Sequence, residues 1–171
     1  MPGSGASEQS DLALSLNNRG ALLVPQGRAA EAIESYREAV GIYRKLTEQS
    51  PNTVGYRRDL AVSLNNLGRG LSDDGQSEAA EQQFALARDL LAGLVSDAPH
   101  ELAYRSSLSG TLNNLAVLLE RDSRFEDAAA AFNQAISHQE FCVERAPDVH
   151  VFQESLTRIR DNYARMKTLA E

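Results

Sequence analysis

Tryptophan is absent from this 171-residue chain, cysteine occurs once, and aromatic residues make up only 6% of it. With Cys142 as its one thiol the chain cannot close an internal disulfide, which fits a reducing compartment. No run approaches the roughly 18 apolar residues that a membrane span requires. Basic residues are the minority, 17 against 24 acidic, for a net charge of −7. That balance argues against nucleic acid and against an anionic membrane surface as partners. The opening Met1 to Ser7 has neither a basic nor an apolar segment of the kind that directs export, so residues 1–10 are expected to form a flexible leader and the protein to be cytoplasmic. Chemistry-bearing motifs are missing too. His100, His138 and His150 share no ligand spacing with one another or with Cys142, and there is no H-E-x-x-H, phosphate-binding glycine loop or nucleophile elbow. No catalytic residue, metal or cofactor is expected, and the chain reads as non-enzymatic.

What the chain does have is a repeat. Asn17-Asn18, Asn65-Asn66 and Asn113-Asn114 follow one another at a step of 48 residues, as do Pro51, Pro99 and Pro147, and Gly20, Gly68 and Ala116. A partial fourth copy places Asp161-Asn162 at the same step. With 42% apolar and 24% charged residues, the composition suits units that bury a core only against their neighbours.

The prolines end one unit and open the next, because proline cannot donate within a helix and biases its predecessor away from helical angles. Midway through each unit lies a second break, at Pro25-Gln26-Gly27, Asp73-Asp74-Gly75 and Asp122-Ser123. Each unit is therefore two helices. Leu60, Leu64, Leu67 and Leu71, then Leu108, Leu112, Leu115 and Leu119, carry the helical spacing in the first helices. Ala80, Phe84, Ala87 and Leu94 carry it in the second, with Ala32, Tyr36, Ala39, Leu46 and Ala128, Phe132, Ala135, Cys142 as their counterparts. Cys142 thus stands in a leucine column and reads as a buried thiol. His138, in the column of Ile42 and Leu90, reads as packed against the last helix. The expected organisation is a leader over 1–10 and one domain over 11–171. Its repeats cover about 11–51, 52–99 and 100–147, and a solvated capping helix covers about 149–169.

These residues resemble the tetratricopeptide repeat, whose pattern is a large residue, Leu-Gly three places on, another large residue, then Ala-x-x-x-Phe and a closing Pro. Leu64, Leu67-Gly68, Leu71, Ala80, Phe84 and Pro99 match it with leucines in place of the first helix's aromatics, and Leu112, Leu115-Ala116, Leu119, Ala128, Phe132 and Pro147 match again. The first copy departs at Arg19, which fills the leucine column beside Gly20. The family unit is usually 34 residues, and the excess here adds about two turns to each helix. Such long units are similar to those of kinesin light chains and of bacterial signalling proteins. The resemblance implies an all-α, right-handed helical solenoid of seven helices: three antiparallel pairs plus a C-terminal capping helix.

Packing or helix punctuation explains most positions shared between copies, but not the asparagines. Asn is a poor helix former, costing about 0.5 kcal/mol against Ala, yet its amide can both donate to and accept from an extended backbone. In the resembling family, Asn in this column lines a concave groove and grips peptide. Asn18, Asn66, Asn114 and Asn162 are the first candidates for that role, with Asn17, Asn65 and Asn113 as the second column. Adjacent residues point about 100° apart, so one Asn of each pair is expected to bond a neighbouring helix instead. Arg69 and Arg165, with Arg121 and Arg158 nearby, would favour a peptide carrying Asp or Glu; a merely solvated helix face is the bland alternative. Arg57, Arg58 and Arg105 read as surface ion-pair partners. A different reading is a scaffold or self-association element of a larger signalling protein. Leu12, Leu14, Leu22, Leu23 and Val24 open the first helix with no polar cap before them and offer a homodimer contact at the N-terminal end.

Overall fold

The computed structural model describes residues 4–170. Seven α-helices lie among them: α1 (Ser4–Leu23), α2 (Ala29–Gln49), α3 (Val54–Asp73), α4 (Ser77–Asp97), α5 (Leu102–Arg121), α6 (Phe125–Arg145) and α7 (His150–Ala170), with a 3-10 turn, Val24–Gln26, after α1. The sequence period is written into these boundaries. The second-type helices begin at Ala29, Ser77 and Phe125, and the first-type helices after α1 at Val54, Leu102 and His150.

Two kinds of turn set the period. Within each repeat, Gly27 (φ 72°), Gly75 (φ 79°) and Ser123 (φ 59°) occupy the left-handed region at the same column. The following amide then reaches back five residues, from Arg28 to Leu23, Gln76 to Leu71 and Arg124 to Leu119. That bond occupies a carbonyl which the helix end leaves without a partner. Between repeats, Ser50, Ala98 and Ala146 close the second helices on Leu46, Leu94 and Cys142 before the chain re-enters at Thr53, Glu101 and Val149.

Contacts group the helices into two compact units divided between Leu90 and Leu91, inside α4. In the first, α1 packs antiparallel on α2, α2 on α3, and α1 also meets α3. Tyr36, Tyr43, Leu46, Leu64 and Phe84 form its interior. Small residues admit the rings: a Cβ on Gly20 would lie 2.5 Å from Tyr36, and one on Gly68 2.7 Å from Phe84. In the second unit α5 packs on α6, α6 on α7, and α5 meets α7. Phe132, Leu118, Ile159 and Cys142 are fully enclosed there. The Phe132 and Tyr163 rings lie 5.6 Å apart, and Gln139 Nε2 donates to the Phe152 carbonyl at 3.0 Å. The outer side of α7 carries the expected exposed charges, among them Arg158, Arg160, Asp161 and Lys167.

Two expectations change. The leader is helical from Ser4 onward, because Ala6, Glu8 and Gln9 are good helix formers and the Tyr43 hydroxyl ties α2 to the Ser10 carbonyl at 3.2 Å; residues 1–3 of that leader lie outside the described residues. Arg105 is not a surface ion-pair partner. Its guanidinium stacks 4.0 Å from the Phe141 ring centroid and donates to the Pro99 carbonyl, since the planar group gains more on an aromatic face than in water. His138 meets this same Arg105 of α5, at 3.4 Å through Nδ1. Burial, with the Arg105 charge, holds its imidazole below the usual range.

Candidate functional site

The asparagines are carried by helices that meet one another, α1 with α3 and α5 with α7. Rotation by about 100° per residue separates the two columns. Asn17 is buried while Asn18 is exposed; Asn113 is buried while Asn114 is half-exposed. The first column thus points into helix–helix contacts. Asn17 Nδ2 donates to Ser63 Oγ at 2.7 Å, and that hydroxyl donates onward to the Asp59 carbonyl at 2.8 Å. Asn65 and Asn66 are both half-buried on α3.

The last copy differs from the first. Asn162 Nδ2 donates to Asn113 Oδ1 at 3.0 Å, so a member of the second column is joined to a member of the first. Arg165, proposed from the sequence as a selector of acidic side chains, is already paired. Its Nε and Nη2 reach Glu120 Oε1 and Oε2 at 3.1 and 2.9 Å. Glu120 is buried, its side chain 7% exposed, while the Arg165 side chain is 53% exposed, so the fork grips a buried carboxylate from the solvent side. Arg69 and Arg121 are exposed on α3 and α5. An open hollow of about 650 Å³ runs along α7, lined by Gln153, Glu154, Thr157, Arg158, Asp161 and Asn162.

Sequence reasoning missed two members of this arrangement. Ser63 serves Asn17, and its signal was the Ser15, Ser63, Thr111 column of short hydroxyl side chains. Glu120 is the partner of Arg165, 45 residues away, and only the approach of α5 to α7 reveals it.

Cys142 is fully buried, its sulfur 3.6 Å from the Leu102 carbonyl, and burial pushes its thiol up. That agrees with the core role expected from its column. Among the described residues no group of three or more His, Cys, Asp or Glu side chains could hold a metal ion, and no helix is long and apolar enough to cross a membrane. A second hollow, about 390 Å³, lies among α2, α3 and α4 with Leu60, Leu64, Leu86 and Leu90 between Arg44 and Asp89. It contains none of the amides.

Residues 12–51 match the family model described as tetratricopeptide repeat. No curated protein matches the sequence. Among solved structures, BtubC (BKLC) from P. vanneervenii is similar, with a TM-score of 0.58 at 17% sequence identity over 91% of this chain. The alignment covers 65% of the BtubC chain, and at that identity the likeness concerns the fold. With the family's signature over residues 12–51 and the same helix pair recurring at 48-residue steps behind it, the chain carries a helical array of tetratricopeptide-repeat type, a kind of repeat that serves generally in protein interaction.

Proposed function

We propose that this protein is a non-enzymatic module that binds an extended peptide segment along its first-type helices, using the second asparagine column as the contact. The observation that carries the proposal is the division of labour within the first and third Asn pairs; in the second, Asn65 and Asn66 are alike half-buried. Asn17 and Asn113 are buried and bonded between helices, whereas Asn18 stands exposed and Asn66 half-exposed beside the exposed Arg69. An amide on a helix surface pays the propensity cost of Asn without a packing return. It can recover that cost by donating to a peptide C=O and accepting from an N–H, whatever the peptide's sequence. Arg69 adds a preference for acidic side chains.

The test begins with acidic peptides selected on the wild-type protein from a random library. Their affinity is then measured by fluorescence anisotropy for Asn18→Ala with Asn66→Ala. The expected result is loss of binding by at least tenfold with the melting temperature nearly unchanged. A drop of several degrees in melting temperature, or undiminished affinity, defeats the reading.

One observation favours a second reading, self-association through α1. Leu12 and Leu22 are 54% and 67% exposed, whereas their counterparts one and two repeats on are buried: Leu60 and Leu108 for Leu12, Gly70 and Leu118 for Leu22. The same columns that bury against a neighbouring helix elsewhere are open on α1.

A further inference from the structure

Four columns of the repeat pack a first-type helix against the helix before it. On α3 they hold Leu60, Ser63, Leu67 and Gly70, all buried where α3 meets α2; a Cβ on Gly70 would lie 3.2 Å from the Ile33 side chain. On α5 the same four positions are buried as well. On α1 all four are exposed, as Leu12, Ser15, Arg19 and Leu22. Their alternating steps of three and four lay one stripe along the helix, the spacing with which a second helix meshes. α1 therefore presents a whole helix-accepting seam with nothing of its own chain upon it.

Charge and symmetry indicate what covers the seam. Arg19 stands where α3 has Leu67, and among the described residues it makes no hydrogen bond or ion pair. Glu31, which acts on it at a distance, is held by Arg28 at 2.6 Å. Asp11, exposed at the edge of the seam, also has no cationic partner among the described residues. A helix laid antiparallel on its own copy, about a two-fold axis at the level of residue 17, sets Leu12 opposite Leu22 at both ends of the stripe. Arg19 then meets Ser15 of the second copy. That small side chain leaves the guanidinium room to reach Asp11 of the second copy, one turn or about 6 Å further along. A parallel arrangement would instead set Arg19 against Arg19, which like charges disfavour.

We propose that two copies of this chain pair through α1 as an antiparallel helix pair. Leu12 of each copy packs on Leu22 of the other, and Arg19 of each forms an ion pair with Asp11 of the other. The existence of the dimer rests on the self-association reading, whereas its direction, register and charge pairing come from the residues of the seam. A single helix pair is a small interface, so the dimer dissociates on dilution.

Sedimentation equilibrium of the full chain over a concentration series tests the pairing. Arg19→Glu is expected to weaken the dimer about tenfold or more, and Asp11→Arg to do the same. The two changes together should restore it, because the exchanged charges again meet across the axis. Both positions face solvent in a single copy, so helix signal and dilute-solution melting temperature should stay near the wild-type values. Direction is read by cross-linking: Leu12→Cys protein mixed with Leu22→Cys protein should form a disulfide dimer faster on mild oxidation than either variant alone, with the buried Cys142 not competing. Faster linkage within either variant alone, or a double charge reversal that fails to restore the dimer, overturns the proposal. If both charge variants dimerise like the wild type while Leu12→Glu with Leu22→Glu is monomeric, this pairing falls and self-association through α1 stands. A wild-type chain that stays monomeric at the highest concentration sinks both and leaves the peptide reading untouched.

Discussion

At the scale of single residues, the repeat is enforced by what each column can tolerate. Gly68 faces the Phe84 ring so closely that a Cβ would lie 2.7 Å from a ring atom, and a packed aromatic ring has little room to withdraw. Gly68→Val should therefore lose about 2 kcal/mol in urea unfolding by overpacking. Gly41, also inside a helix but with nothing within 4 Å of its would-be Cβ, is the control: Gly41→Ala should gain about 1 kcal/mol through helix propensity. Position 48 residues after Gly68 is Ala116, so the sequence already marks this column as small; what it does not show is the ring behind it. His138 supplies a pH dependence. Its imidazole is held below the usual value of about 6.5 by burial and by Arg105. Between the folded value and about 6.5 the unfolded chain binds more protons than the folded one, so stability rises with pH through that window and is lost as pH falls through it. Melting temperature measured from pH 8 to pH 5.5 should fall less for His138→Gln than for the wild type. Equal slopes would remove His138 from the account.

At the scale of elements, the helices owe their limits to local signals and their neighbours to burial. The left-handed column at Gly27, Gly75 and Ser123 and the prolines at Pro51, Pro99 and Pro147 were readable in advance, because turn chemistry acts over a few residues. The start of α1 was not. Gly3, Ser4 and Gly5 suggest a flexible chain, but the Tyr43 hydroxyl anchors the Ser10 carbonyl from another helix, and only tertiary contact supplies that. α7 is the element held by the most varied contacts: Leu156, Ile159 and Met166 buried, Arg160 paired with Glu140 at 2.6 Å, and Arg165 with Glu120. The exposed Arg160–Glu140 pair contributes little, since water screens it. Burial of the apolar face dominates. Ile159→Ala should cost about 3 kcal/mol, and native-state hydrogen exchange should show the loss concentrated in α7 rather than in α1 to α3. Uniform loss of protection over all helices would mean that α7 does not open by itself.

At the scale of the whole molecule, the open columns of α1 bear on assembly. If Leu12 and Leu22 meet a second copy, light scattering should show a dimer that Leu12→Glu with Leu22→Glu converts to monomer without loss of helix signal. A wild-type protein that stays monomeric at high concentration removes self-association and leaves the peptide reading as the sole account. The sequence by itself determined the period, the two-helix unit, the buried column that includes Cys142, and the presence of two asparagine columns, because turn propensity and helical spacing are local properties. Only the tertiary structure decided which Asn of a pair is enclosed, that Arg105 lies on Phe141, and that Arg165 is held by Glu120 while Arg69 is not. Those outcomes depend on side chains from helices far apart in sequence arriving at one place. The direction of approach, which no single helix encodes, selects among partners that the columns leave equivalent.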